Sequence, residues 1–205
     1  MPGAVFTPPP LDLAQFSPDG PDVRAVYGAD RKLVTVIGKL SKGRGFEEAL
    51  QTFSKMHGAR LMIIGHGEHR PVLEALSQSL GIDGDVIFAG YHEDDLAEHY
   101  RASDLLLFTA RGSDEGHRAV LEAMACGVPV ATFPIEGVDA LVPREWIAPS
   151  SDPASLAALA QSLLARDPAA LRAAAAERAQ EFGYDRAAER LIAAYSRGRD
   201  DFQLD

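Results

Sequence analysis

Short apolar runs that end in glycine alternate with amphipathic stretches along the chain, and this alternation restricts the fold more than any other feature. Lys32-Leu-Val-Thr-Val-Ile37 is a β-branched run closed by Gly38, the signature of a buried strand. Residues 45–57 then place Phe46, Ala49, Leu50, Phe53 and Met56 at spacings of three and four, as one face of a helix requires. The pattern repeats. Residues 60–64 form a second strand before Gly65, and residues 68–80 a helix stopped by Gly81. Strands are expected at 86–89, 105–108 and 128–133, the last interrupted early by Pro129, and a short sixth at Trp146–Ala148. A short acidic helix at 93–102 and a longer one at 114–126 lie between them. Strand–helix alternation of this kind predicts an α/β chain with a doubly wound, parallel, Rossmann-like sheet.

The flanks differ. Residues 1–30 hold Pro2, Pro8, Pro9, Pro10, Pro18 and Pro21 and read as a linker or lead-in, without helix or central strand. Residues 31–152 are the core. Residues 153–205 are Ala-rich helices of the same domain, broken near Asp167-Pro168 and Gly183. At 205 residues the chain reads as one domain with a sizeable core. No apolar run approaches the ~18 residues of a membrane span, and the first residues lack the basic and apolar regions of a secretory signal. Cys126 is the single cysteine, which excludes an internal disulfide and a thiolate-rich zinc site. The six histidines show no metal-ligand spacing. The expectation is a soluble, cytoplasmic protein.

A formal net charge of −10 argues against nucleic acid or an anionic membrane as a partner of the whole surface. The charge is uneven, however: residues 31–60 carry a net +5. In parallel sheets, ligands bind beyond the carboxyl ends of the strands. Here those ends are residues 38–45, 65–68, 90–93, 109–116 and 134–138. Lys39, Lys42 and Arg44 fall at the first of them, where they suit a small anion; the alternative is a solvated basic turn.

Several motifs point away from common nucleotide folds. Gly38-Lys-Leu-Ser-Lys-Gly-Arg-Gly45 nearly matches a phosphate-binding P-loop. But Arg44 stands where the lysine belongs and Gly45 where a hydroxyl would hold Mg²⁺. Gly65-His-Gly67 lacks the third small residue of a dinucleotide fingerprint, since Arg70 occupies that place. Asp83-Gly-Asp85 resembles a metal-binding pair but precedes a strand, on the wrong edge, and reads as a turn. The sharpest segment runs from Gly112 to Val130. A polar loop with Ser113 and Asp114 opens a helix at a ligand edge, where unpaired N–H groups favour a phosphate. Asp114 and Glu122 lie eight residues apart, near one side of that helix. Capping by Asp114 and an Arg118–Glu122 surface pair are the structural alternatives.

Taken together, these residues resemble the C-terminal, donor-binding domain of a GT-B glycosyltransferase similar to the retaining family 4 group. The family's G-R-L…K-G-F stands here as Gly38-Lys39-Leu40 and Arg44-Gly45-Phe46. A G-x-G turn, Phe88-Ala-Gly90, and the series Leu96, Tyr100, Asp104 follow. The E-x₇-E block is Asp114…Glu122-Ala-Met-Ala-Cys-Gly-Val-Pro-Val130. The likeness covers roughly residues 7–196. It implies that Asp114 binds donor-sugar hydroxyls and Glu122 the ribose. It implies that Lys39 and Arg44 neutralise the departing diphosphate, and that the N–H groups of Arg118 and Ala119 at the helix start hold its oxygens. The backbone near Tyr91 and His92 would contact the base, with Gly38, Glu115, Gly116 and His117 completing the set. No cofactor and no metal is implied beyond the nucleotide-diphospho-sugar. The exchange of Arg and Lys moves the bidentate group to the second position, and Asp114 is one methylene shorter than the family's glutamate.

GT-B enzymes hold the acceptor in a second, N-terminal domain. Residues 7–18 resemble the linker between the halves, so the acceptor domain would have to be supplied in cis or in trans. The implied function is the donor half of a hexosyl transfer to a sugar or lipid acceptor. A non-catalytic nucleotide-diphosphate-binding module and the donor half of an epimerase are the alternatives. An apolar face on helices 153–196 that crosses to the missing domain would favour self-association when exposed.

Overall fold

The computed structural model describes residues 8–28, 30–110 and 114–200; for 114–116 and 194–200 it describes the course of the backbone only. Five strands form one sheet: β1 Lys32–Ile37, β2 Ala59–Ile64, β3 Val86–Gly90, β4 Leu105–Phe108 and β5 Val130–Thr132. Their order is β3-β2-β1-β4-β5 and every pairing is parallel. The chain therefore enters at the middle strand, winds outward to β3, then crosses back to β4. The direction of winding reverses between β1 and β4, and that is where such sheets open a crevice.

The helices are α1 Arg24–Tyr27, α2 Phe46–Phe53, α3 Arg70–Ser79, α4 Leu96–Ala102, α5 Asp114–Ala125, α6 Pro153–Leu164, α7 Pro168–Gln180 and α8 Tyr184–Asp200. Alternate residues of β1 serve opposite faces. Val34 and Val36 join the main core with Leu50, Phe53, Leu107 and Leu121, while Leu33 packs with Met62, Ile64 and Ala102 on the side of α1 and α4. Burial on both faces explains why the strands read as continuous apolar runs. Thr35, the polar exception in β1, is fully buried, and its hydroxyl pairs with Ser103 Oγ at 2.5 Å.

The C-terminal helices begin where Asp-Pro pairs stand. Asp152 accepts the Ser155 N–H and Asp167 accepts the Ala169 N–H, each followed by proline in the first turn. They pack back on the sheet domain, α6 on α2 and β5, and α7 on α5. Arg172 donates to the carbonyls of Arg101 and Ser103, and Arg178 to those of Ala140 and Leu141.

Three expectations are corrected. The lead-in is more than a linker, because Leu11 and Phe16 are buried at 2% and 5% exposure in the main core. Leu11 also donates to the Phe182 carbonyl and bridges Gly183. A turn of helix, α1, forms after the last proline of this stretch, opened by the Asp22 carboxylate accepting the Arg24 N–H. The expected sixth strand is a 3₁₀ turn, Arg144–Trp146, with one bridge from Ile147 to Thr132. Trp146 is spent on filling the core, so its neighbours do not extend a ladder. α2 stops at Phe53, short of Met56 and the Gly58 turn.

Candidate functional site

The strand exits on the carboxyl edge are tied together by backbone contacts that admit no side chain. Gly38 N–H donates to Ile64 O at 3.1 Å and Gly65 N–H to Gly90 O at 2.7 Å, which joins the ends of β1, β2 and β3. A Cβ on Gly65 would stand 1.9 Å from Gly38 O, and one on Gly67 2.1 Å from Leu40 O. The Gly-His-Gly turn is thus glycine-rich for contact with the β1 exit. Across the crevice, Gly45 has φ +86°, and a Cβ there would meet Thr109 O at 2.3 Å. The Thr109 hydroxyl donates to Gly45 O at 2.7 Å. The β1–α2 loop, with exposed Lys39 and half-buried Arg44, is thereby held against the end of β4 beside the start of α5. Neither cation has an ion-pair partner among the described residues.

A cleft of about 370 Å³ opens at this edge, lined among others by Phe16, Gly38, Tyr91, His92, Arg118 and Glu122. Glu122 lies on α5 and is 8% exposed. Its Oε2 accepts the hydroxyl of Tyr100, itself fully buried, at 3.2 Å. Its Oε1 pairs with Arg118 Nε at 3.2 Å. Burial pushes the Glu122 carboxyl above its ordinary pKa, against the pull of Arg118 and Tyr100. Burial and the neighbouring carboxylate likewise push the Tyr100 phenol well up, so it remains a donor. Tyr91 stands exposed at the rim, its hydroxyl donating to Glu93 at 3.0 Å and the His66 ring edge-on at 4.9 Å. Cys126, one turn beyond Glu122, is buried and its thiol is pushed up to about 12 by desolvation; it is an inert core side chain.

Gly38, Tyr91, His92, Arg118 and Glu122, all expected at the site from the sequence, converge on this one cleft. Lys39 and Arg44 border it on their loop without lining it. The Arg118–Glu122 pair is real and occupies one carboxylate oxygen. Two expectations shift. His117 is buried with its ring 6.2 Å from Phe108, so its side chain packs inward. α5 begins at Asp114, and the first four N–H groups of a helix are the ones without an intrahelical acceptor. Those belong to the first turn of α5, ahead of Arg118 and Ala119. The side chains of Asp114, Glu115 and Gly116, and the loop 111–113, lie outside the described residues.

Sequence reasoning passed over three features. Phe16 lines the cleft from a segment read as linker; an aromatic residue among prolines was the available signal. Tyr100 anchors Glu122 from a separate helix, which no local spacing announces. His92, Asp95 and His99 offer ligand atoms within 4.8 Å of one another, although the sequence suggested no metal-ligand spacing. Their separations of three and four residues are those of one helical face. Asp83 and Asp85 form a 3₁₀ turn on the opposite edge, where Asp85 pairs with Arg31 at 2.7 Å.

The family model "Glycosyl transferases group 1" matches residues 31–166, more than half of the chain. The chain belongs to the group 1 glycosyltransferase family. This group 1 chain is 32% identical over 207 residues to D-inositol 3-phosphate glycosyltransferase of Mycolicibacterium smegmatis, covering 95% of this chain and 48% of that protein. It spans about half the length of the first curated relatives it matches over nearly its whole extent. Among solved structures it resembles sucrose-phosphate synthase from Thermosynechococcus elongatus, with TM-score 0.77, 26% identity and 95% and 52% of the two chains covered. It also resembles Anabaena Alr3699/HepE, solved with UDP and glucose, with TM-score 0.79, 20% identity and 91% and 55% coverage. A third is the C-terminal domain of a group 1 family protein (LpcC) from Francisella tularensis, with TM-score 0.66, 16% identity and 84% and 95% coverage. The last two likenesses establish fold alone. The group 1 chain has the Rossmann-like fold of one half of a GT-B glycosyltransferase. No helix among the described residues is long and apolar enough to cross a membrane.

Proposed function

We propose that the cleft binds a nucleotide-diphospho-sugar and that the chain is the donor half of a retaining, metal-independent glycosyltransferase, passing a hexosyl group to a sugar or lipid acceptor. The observation that carries this reading is the convergence of Gly38, Tyr91, His92, Arg118 and Glu122 on one cleft at the reversal point of the sheet. Glu122, ionised, accepts the two ribose hydroxyls. The backbone at Tyr91–His92 and Gly38 borders the base, with the Tyr91 ring at the rim.

The diphosphate then points toward β4 and α5. Lys39 and Arg44 reach it from the β1–α2 loop, and the free N–H groups at the start of α5 face it with the positive end of the helix. These charges stabilise the leaving group where it develops, which is the service a metal ion supplies elsewhere. Asp114 holds sugar hydroxyls, with Glu115 and Gly116 in the same turn. The bond from the anomeric carbon to the diphosphate breaks as the acceptor hydroxyl attacks from the same face, and the acceptor's proton leaves with the diphosphate. The acceptor site belongs to a second domain, in cis or in trans, so the isolated chain binds donor without turning it over.

Calorimetric titration with UDP, GDP and ADP tests this, with UDP first because a structural neighbour was solved with it. Binding of at least one, weakened about tenfold or more in Glu122→Ala and in Lys39→Ala, is the expected result. No binding of any of the three overturns it.

A further inference from the structure

The β1–α2 loop is held on its second side by a pair of side chains that the donor reading leaves without a role. Glu47 stands in the first turn of α2 and His69 immediately before α3, and Nε2 of His69 lies 2.6 Å from Glu47 Oε1. A carboxylate only accepts, so this nitrogen carries the proton. The bond joins two separate strand exits on the carboxyl edge of the sheet. Backbone bonds run along the same seam: the Leu40 N–H donates to His66 O at 2.9 Å, and the His69 N–H donates to Leu40 O at 3.0 Å. Leu40 is buried, and it is the residue whose carbonyl a side chain at Gly67 would strike.

An ion pair open to solvent contributes little. Here the two side chains are only 13% and 28% exposed, against 46% and 42% for the Arg70–Glu74 pair of α3. Arg70 and Glu74 also share one helix, whereas His69 and Glu47 tie two elements together. The loop is thus clamped twice, at Leu40 and Glu47 toward the β2–α3 turn and at Gly45 toward Thr109. These clamps fix the segment that carries Lys39, Lys42 and Arg44. The bond has a second consequence, for charge. Arg44 is the cation nearest to Glu47 in sequence, three residues before it. A Glu47 carboxylate released from His69 would compete with any bound anion for that guanidinium. With Oε1 engaged by His69, Lys39 and Arg44 have no ion-pair partner among the described residues.

We propose that His69 is a positioning residue for the diphosphate: its bond to Glu47 fixes the β1–α2 loop and withdraws a carboxylate from Arg44, leaving the loop cations to the anion. The identity of that anion rests on the donor reading above; the latch itself rests on the contacts of Glu47, His69 and Leu40. His69 acts through the loop and does not touch the nucleotide.

The test combines calorimetric titration, using whichever of UDP, GDP and ADP the parent binds most tightly, with amide hydrogen exchange of the unliganded chains. His69→Ala is expected to weaken the nucleotide about three- to tenfold and to speed exchange of the Leu40 and Ser41 amides, while the β1 amides exchange as in the parent. His69→Gln, which keeps an N–H donor of similar reach, restores both readouts to within about twofold. In an Arg44→Ala background the further loss caused by His69→Ala shrinks to about twofold or less, because the released carboxylate has no Arg44 to divert. Unchanged nucleotide affinity in His69→Ala overturns the proposal. So does a failure of glutamine to restore it, or the same loss in both backgrounds. A parent that binds none of the three nucleotides overturns the donor reading instead. Exchange then decides the latch: faster exchange in His69→Ala that glutamine reverses supports it, and unchanged exchange overturns it.

Discussion

Glu122 and Asp104 are both acids at helix ends or strand starts, yet their surroundings push them in opposite directions. Burial raises the Glu122 carboxyl and its two partners only partly offset this. Its contribution to stability is therefore full below the ordinary glutamate pKa and is lost as pH rises through the raised native value. Glu122→Gln removes that loss. By urea denaturation the variant is at least as stable as the parent at pH 7, and its relative advantage shrinks on going to pH 4. Its affinity for a nucleoside diphosphate falls all the same. Asp104 behaves conversely. Burial pushes its carboxyl up, but the Leu33 N–H, Arg24 and Lys32 overcome this and hold it below the ordinary aspartate range. Its stabilisation is present above the unfolded pKa and lost as pH falls through the lowered one. Asp104→Asn costs about 1–3 kcal/mol at pH 7, and the difference narrows in acid. Glu122 stood out in the sequence by its spacing from Asp114. Tyr100 was also picked out, in the series Leu96, Tyr100, Asp104, but its contact with Glu122 was not, because a contact between residues 22 apart depends on how α4 crosses α5.

At the scale of elements, the strands were legible almost to the residue because burial on both faces leaves a continuous apolar run, as in β1 and β4. The helical stretch from 153 and its break near Asp167-Pro168 were legible from alanine content and proline, although the capping role of Asp152 and Asp167 was not. Helix ends and one-bridge contacts were not. Trp146–Ala148 reads as a strand by composition, and its 3₁₀ geometry follows from seating the indole in the core. The glycines of the β1–α2 loop separate two kinds of requirement. Gly43 has φ +78° with nothing near a Cβ, whereas Gly45 combines φ +86° with the Thr109 carbonyl at 2.3 Å. Gly43→Ala therefore costs about 1–2 kcal/mol for its backbone alone. Gly45→Ala costs more by thermal or chemical denaturation and displaces the loop that carries Lys39 and Arg44. Equal losses at the two positions would show that the Gly45–Thr109 approach does not hold the loop.

For the whole molecule, the lead-in segment matters most for revising the picture that composition suggested. Proline content marked it as a linker, but Leu11 and Phe16 are core residues and Phe16 also lines the cleft. Phe16→Ala is expected to cost about 3–5 kcal/mol and to weaken nucleotide binding, whereas a true linker residue would change neither. On α8, Tyr184, Leu191 and Ile192 are exposed. Light scattering on a size-exclusion column is expected to show concentration-dependent self-association, diminished in Leu191→Glu; a monomer at high concentration would count against it. The uneven charge also acquires a place: the basic 31–60 segment supplies Lys39 and Arg44 at the edge where the sheet reverses, so a net charge of −10 does not oppose an anionic ligand there. That placement is the central claim, and amide chemical-shift mapping during a UDP titration tests it most directly. The account predicts shifts at Gly38–Gly45, Tyr91–Glu93 and His117–Glu122. No shift at saturating UDP, GDP or ADP, or shifts confined to the opposite edge at Ala59 and Asp83–Asp85, would contradict it.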